Sequence, residues 1–135
     1  MKWTNISNFS IRSTGLLVST NYLFLKATPD GLVSCTCCGT GLLEIKCPYN
    51  YRNVNPSDIT NESFYLQTKS DGTKVLDSSH DYYYQVQGQM GIWKKDYCDF
   101  VCWTNEGHVV TRIKYDVKIS LVNVSTSLIP IFCQN

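Results

Sequence analysis

Residues 29–46, PDGLVSCTCCGTGLLEIK, decide how this chain folds. They continue a branched, aromatic run from Tyr22 (YLFLKATPDGLV) that reads as a strand interrupted at Pro29. Cys35 to Gly41 is turn chemistry with glycines on both sides of Thr40, and GLLEIKCP is a second strand ended by Pro48. Strand alternation sends Glu44 and Lys46 out of one face and Ile45 out of the other. An acid on one strand, with an acid and a lysine on the next, suits metal-assisted phosphodiester cleavage. Two carboxylates hold a hard divalent cation through oxygen. Such an ion polarises a phosphate and acidifies bound water, and a neighbouring ammonium offsets transition-state charge. Each residue also has an ordinary reading. Pro-Asp-Gly is a favoured turn sequence, and charges at i and i+2 can be a solvated strand face. The otherwise apolar setting of LLEIKC favours a functional or paired couple.

Downstream, residues 49–62 are a loop rich in breakers, and FYLQTKSDGTKVL is a hairpin centred on Asp71-Gly72. Ser78 to Asp81 offers N-caps for a helix over Tyr82–Lys95, with Val86, Met90 and Trp93 along its apolar face. Gln85 and Gln89 stack one turn apart on another face, and Gln87 points elsewhere. CDFVCWT and HVVTRIKY form a hairpin around Asn105-Glu106-Gly107, whereas the final stretch from Asp116 is ambiguous between strand and helix. The order strand, strand, helix, strand, strand gives an α+β sandwich in a single domain spanning residues 1–135.

A hydrophobic share of 43% against 17% charged residues excludes a disordered chain. No apolar run is long enough to cross a bilayer, so no membrane partner is expected. The start, MKWTNISNFSIRS, lacks the pattern of a secretory signal, which with seven cysteines points to an intracellular protein with reduced thiols. The Asn-x-Ser sequons at Asn5, Asn8, Asn61 and Asn123 are expected by chance in so Asn- and Ser-rich a chain. A net charge of +1 gives no global basic footprint, so DNA contacts would come from Lys94-Lys95 or Arg112, Lys114 and Lys118.

Taken in order, ATPDGLV, LLEIKCP, YYYQVQGQM and DFVCWT resemble the YqaJ-like viral recombinase domain, a lambda-exonuclease-like branch of the PD-(D/E)xK nucleases. The resemblance covers about residues 16–115. It implies a restriction-endonuclease-like core, with a central mixed β-sheet and a flanking helix, and a metal-dependent DNA nuclease, in phage relatives an exonuclease serving recombination. Carried over by position, Asp30 and Glu44 resemble the metal-binding carboxylates and Lys46 the catalytic lysine. The Ile45 backbone carbonyl is a further metal contact, and Gln85 resembles the helix glutamine facing the site, with Gln89 in reserve. One or two Mg2+ or Mn2+ ions are implied as cofactor and DNA as partner, and a homo-oligomer by analogy with the phage proteins. The family opens with helices carrying a further glutamate and a group that grips the 5′ phosphate. Here the chain begins after their place, and Glu62 and Glu106 lie in loops on the wrong side of the motifs to substitute. The alternative is therefore an inactive DNA-binding or interaction module that keeps the fold.

Cys35-x-x-Cys38 has zinc-knuckle spacing with Cys47 close across the hairpin, but no second pair completes a four-ligand site. Free thiols are expected there, and a zinc-stapled domain is the weakest reading. His80 reads as a helix-start residue and His108 as an ordinary strand residue. Tyr82, Tyr83 and Tyr84 could stack on bases, although at least one is expected to pack on the sheet.

Overall fold

The computed structural model describes residues 10–12, 17–18 and 26–119. The strands are β1 (Ser10–Arg12), β2 (Leu17–Val18), β3 (Lys26–Ala27), β4 (Gly31–Cys35), β5 (Gly39–Lys46), β6 (Leu66–Thr68), β7 (Lys74–Leu76), β8 (Tyr97–Thr104) and β9 (Gly107–Lys114), with helix α1 (Asp81–Trp93) between β7 and β8. Five strands form one mixed sheet in the order β1-β4-β5-β8-β9, in which only β5 and β8 run parallel. A parallel pair needs a long crossover. Two 3-10 turns, the β6–β7 hairpin and α1 supply it. This is the mixed sheet with a flanking helix that the sequence implies.

The turn between β4 and β5 is tighter than the sequence suggests. Gly39, Thr40 and Gly41 belong to β5, and only Thr36 to Cys38 turn. Gly39 makes this possible by taking φ +75°, a left-handed conformation that side chains resist. Gly41 is small for a different reason. A Cβ built there would lie 2.3 Å from the Tyr97 ring, whose hydroxyl donates to the Gly39 carbonyl at 2.9 Å. Gly41→Ala is therefore expected to destabilise the protein by about 1–3 kcal/mol through overpacking, read as a lowered urea midpoint.

One sheet face packs Leu42, Cys98, Phe100 and Cys102 against Val86 and Met90 of α1 and Leu66 and Leu76 of the β6–β7 hairpin. The other face buries Val33, Leu43, Tyr97 and Val101. Central β8 is buried at every position but Trp103. The Asp71-Gly72 hairpin forms as read, with Gly72 at φ +86° and the Asp71 carboxylate accepting from Thr73 N.

Helix α1 starts at Asp81, where His80 is the N-cap: its Nδ1 accepts from Tyr82 N at 3.0 Å. It ends at Trp93, with Lys94 left-handed at φ 56° and its N–H returning to Met90 O. Val86 and Met90 are fully buried, as their spacing requires. Tyr82 and Tyr83 pack on the core. Of the ambiguous C-terminal stretch, residues 117–119 are helical and those from 120 onward lie outside the described residues. Among the described residues, no helix is long and apolar enough to cross a membrane.

Candidate metal centre

Asp30 sits one residue before the last ladder pair of the hairpin, Gly31 with Leu43, and so lies beside Glu44. Its backbone N–H donates to Leu43 O at 3.0 Å, and its Oδ2 accepts from Ile45 N at 2.7 Å. The favoured turn and the candidate ligand are the same residue: the bend aims the carboxylate along β5. Glu44 and Lys46 share the face that looks at α1, and Ile45 is exposed on the opposite side. Lys46 Nζ lies 3.7 Å from Glu44 Oε1, donates to Gln85 Oε1 at 3.4 Å, and sits 4.3 Å above the Tyr82 ring. Gln89, one turn further on, lies close enough to Glu44 to favour the carboxylate. Neither of its amide atoms reaches a partner with ordinary hydrogen-bond geometry.

Burial pushes the Glu44 carboxyl up to about 8, Asp30 adds like-charge repulsion, and Lys46 opposes the shift only in part. Without a cation Glu44 keeps its proton near neutral pH.

The polar atoms left over are concentrated here. Glu44 Oε2, Gln85 Nε2 and both amide atoms of Gln89 are buried side-chain atoms with no hydrogen-bond partner. Gln87 on the same helix shows the usual alternative. Its Nε2 donates to Lys114 O and its Oε1 accepts from Asp116 N, each at 2.8 Å, which ties α1 to the end of β9. Native interiors rarely leave polar atoms unpaired. Four in one place, around a carboxylate with a raised pKa, mark a site that expects an occupant. Glu44 Oε2 and Gln89 Oε1 are hard oxygen donors that suit a hard divalent cation, and the two amide nitrogens suit the oxygens of a phosphate or water.

Asp30, Glu44, Lys46 and Gln85 thus converge as the sequence placed them, and Gln89 joins them. Tyr82, left out of the sequence-based site, forms the floor beneath Lys46. Tyr82, Gln85 and Gln89 occupy i, i+3 and i+7 of α1, one helix face, and that spacing was the available signal. Arg112 is not a free phosphate contact. Its Nε and Nη2 donate to Asp99 Oδ1 and Oδ2 at 2.8 and 3.0 Å.

Residues 1–96 match the YqaJ-like viral recombinase domain. That span and the sequence resemblance over 16–115 both contain Asp30, Glu44, Lys46 and Gln85, whereas the DFVCWT strand lies beyond the match. No curated protein matches the chain. The solved alkaline exonuclease LHK-Exo from Laribacter hongkongensis is 25% identical, with a TM-score of 0.60 over 95% of this chain and 57% of that one. LHK-Exo in complex with dAMP gives 0.62 at 24% identity, with the same coverage, a likeness of fold. The chain spans just over half the length of these exonuclease structures.

Proposed function

This chain belongs to the YqaJ-like viral recombinase domain family, and on that premise we propose that it is a metal-dependent DNA nuclease, of exonuclease type, serving recombination or repair. The observation that carries the proposal is the cluster of unpartnered polar atoms on Glu44, Gln85 and Gln89 beside the Asp30 carboxylate and the Lys46 ammonium. Nucleases of this family generally use divalent ions; here Asp30, Glu44 and the Ile45 backbone carbonyl would hold one or two Mg2+ or Mn2+ ions. When bound, such an ion polarises the scissile phosphate and lowers the pKa of its water.

The remaining work falls to the chain's own groups. Lys46 is held between Glu44, Gln85 and the Tyr82 ring, so its ammonium is oriented before DNA arrives and can position water or offset phosphate charge. Gln85 accepts from Lys46 through Oε1 and has Nε2 available to donate to a phosphate oxygen or a water.

Lys46→Ala is expected to lower cleavage about 10²- to 10³-fold while metal binding persists. Digestion of end-labelled duplex with Mn2+ measures the first, and calorimetric titration of Mn2+ the second. If the folded wild-type protein leaves the duplex intact with either Mg2+ or Mn2+, the enzymatic claim is withdrawn.

One observation favours the second reading, a DNA-binding module without catalysis. Among the described residues, the only group of three or more metal-ligating side chains is a cysteine cluster elsewhere, so the acidic site offers two carboxylates. Salt-sensitive DNA binding with no cleavage would select that reading.

A further inference from the structure

The turn joining β4 to β5 carries Cys35, Cys37 and Cys38, and their sulfurs converge. Cys35 Sγ lies 3.4 Å from Cys37 Sγ, which lies 3.4 Å from Cys38 Sγ. The three ligand atoms all fall within 4.8 Å of one another. Sulfurs bound at 2.3 Å to one tetrahedral ion stand about 3.8 Å apart, so closing on a common ion takes only small adjustments. Cys47, the third ligand suggested by the sequence, is outside this group, and Cys37 takes its place. The sequence-based argument against zinc rested on the lack of a second ligand pair, and a three-thiol turn does not require one.

The surroundings favour a thiolate at Cys38. The Cys38 N–H donates to Cys35 Sγ at 3.1 Å, which ties the two residues across the turn. The Arg112 guanidinium, fixed by Asp99, lies beside Cys38 and lowers its thiol to about 7. The neighbouring sulfurs push Cys37 up to about 11. Ionising one thiol thus makes the next harder to ionise, and a bound cation removes that conflict. Cys35 is buried and Cys37 is exposed, so the cluster opens to solvent on one side.

We propose that Cys35, Cys37 and Cys38 form a second metal site, which takes a thiophilic cation of the zinc class through three thiolates and leaves a fourth position open to water or another ligand. Soft sulfur donors select such ions, whereas the oxygen site selects hard ones. Five residue steps of strand lead from Asp30 to Cys35, roughly 16 Å at 3.3 Å per residue, so the two ions would not share ligands. Bound there, the ion would staple the hairpin whose other end presents Asp30 and Glu44. The site stands independently of the nuclease reading.

The test is Co2+ binding to the full chain, purified under reducing conditions and assayed for free thiols. The expected result is a thiolate-to-cobalt charge-transfer band that Zn2+ removes and Mg2+ does not. Cys37→Ser, a change at an exposed position that leaves the core intact, should lose the band, whereas Cys47→Ser and Asp30→Asn should keep it. No band in the folded, reduced wild-type protein would overturn the proposal, as would a band that survives Cys37→Ser.

Discussion

Glu44→Gln abolishes divalent-dependent cleavage and, in metal-free protein at alkaline pH, raises stability: that is the expected result. The first half follows from losing a carboxylate of the proposed metal site. Metal stabilisation of transition-state charge is worth several kcal/mol, about a thousandfold in rate. The second half follows from linkage. Glu44 has its carboxyl raised from 4.5 to about 8 in the folded protein, chiefly by burial and then by Asp30. The folded state therefore holds the proton more tightly than the unfolded state. That contribution to stability is complete below pH 4.5, declines as pH rises, and is lost above about 8.

Wild-type protein without metal should thus weaken steadily between those limits, and Glu44→Gln should not. A divalent ion competes with the same proton, so its affinity should fall about tenfold for each pH unit below 8. Thermal unfolding across pH, with and without Mn2+, measures both effects. A wild-type profile that is flat from pH 5 to 9, or equal Mn2+ binding by the variant, would sink the assignment of Glu44.

Arg112→Ala is expected to cost about 3–5 kcal/mol of folding stability whatever the protein does. Asp99 is fully buried and directly opposite Arg112 across the β8–β9 ladder. Two charge-assisted hydrogen bonds join them, and the guanidinium carbon lies 3.9 Å from the Tyr97 ring centroid. Removing the arginine takes both of these hydrogen bonds from a fully buried carboxylate. A loss below about 1 kcal/mol would mean that the pair behaves as an exposed one. The double change Asp99→Leu with Arg112→Met should recover much of the stability, because no charge is then left buried. Urea unfolding of the three proteins separates these outcomes.

Local rules were enough for much of this. Period-two alternation put Glu44 and Lys46 on one face and Ile45 on the other, and helical spacing put Val86 and Met90 into the core. Asp71-Gly72 marked its hairpin because left-handed backbone at Gly72 needs glycine. Each of these is a property of neighbouring residues, readable without knowing what lies across from them.

What the chain could not disclose in one dimension is which polar groups find partners. Helical spacing separates Gln87 from Gln85 and Gln89, but it does not say that the end of β9 satisfies Gln87, that Gln85 is paired only through its Oε1 with Lys46, or that both amide atoms of Gln89 are left over. Arg112 read as a loose cation and is bound to Asp99. The glutamine outcomes depend on where α1 docks against β5 and the end of β9, and the Asp99–Arg112 pair depends on the register of β8 with β9. Side-chain alternation is set within a strand, whereas desolvation and charge pairing are set by whatever the fold brings opposite.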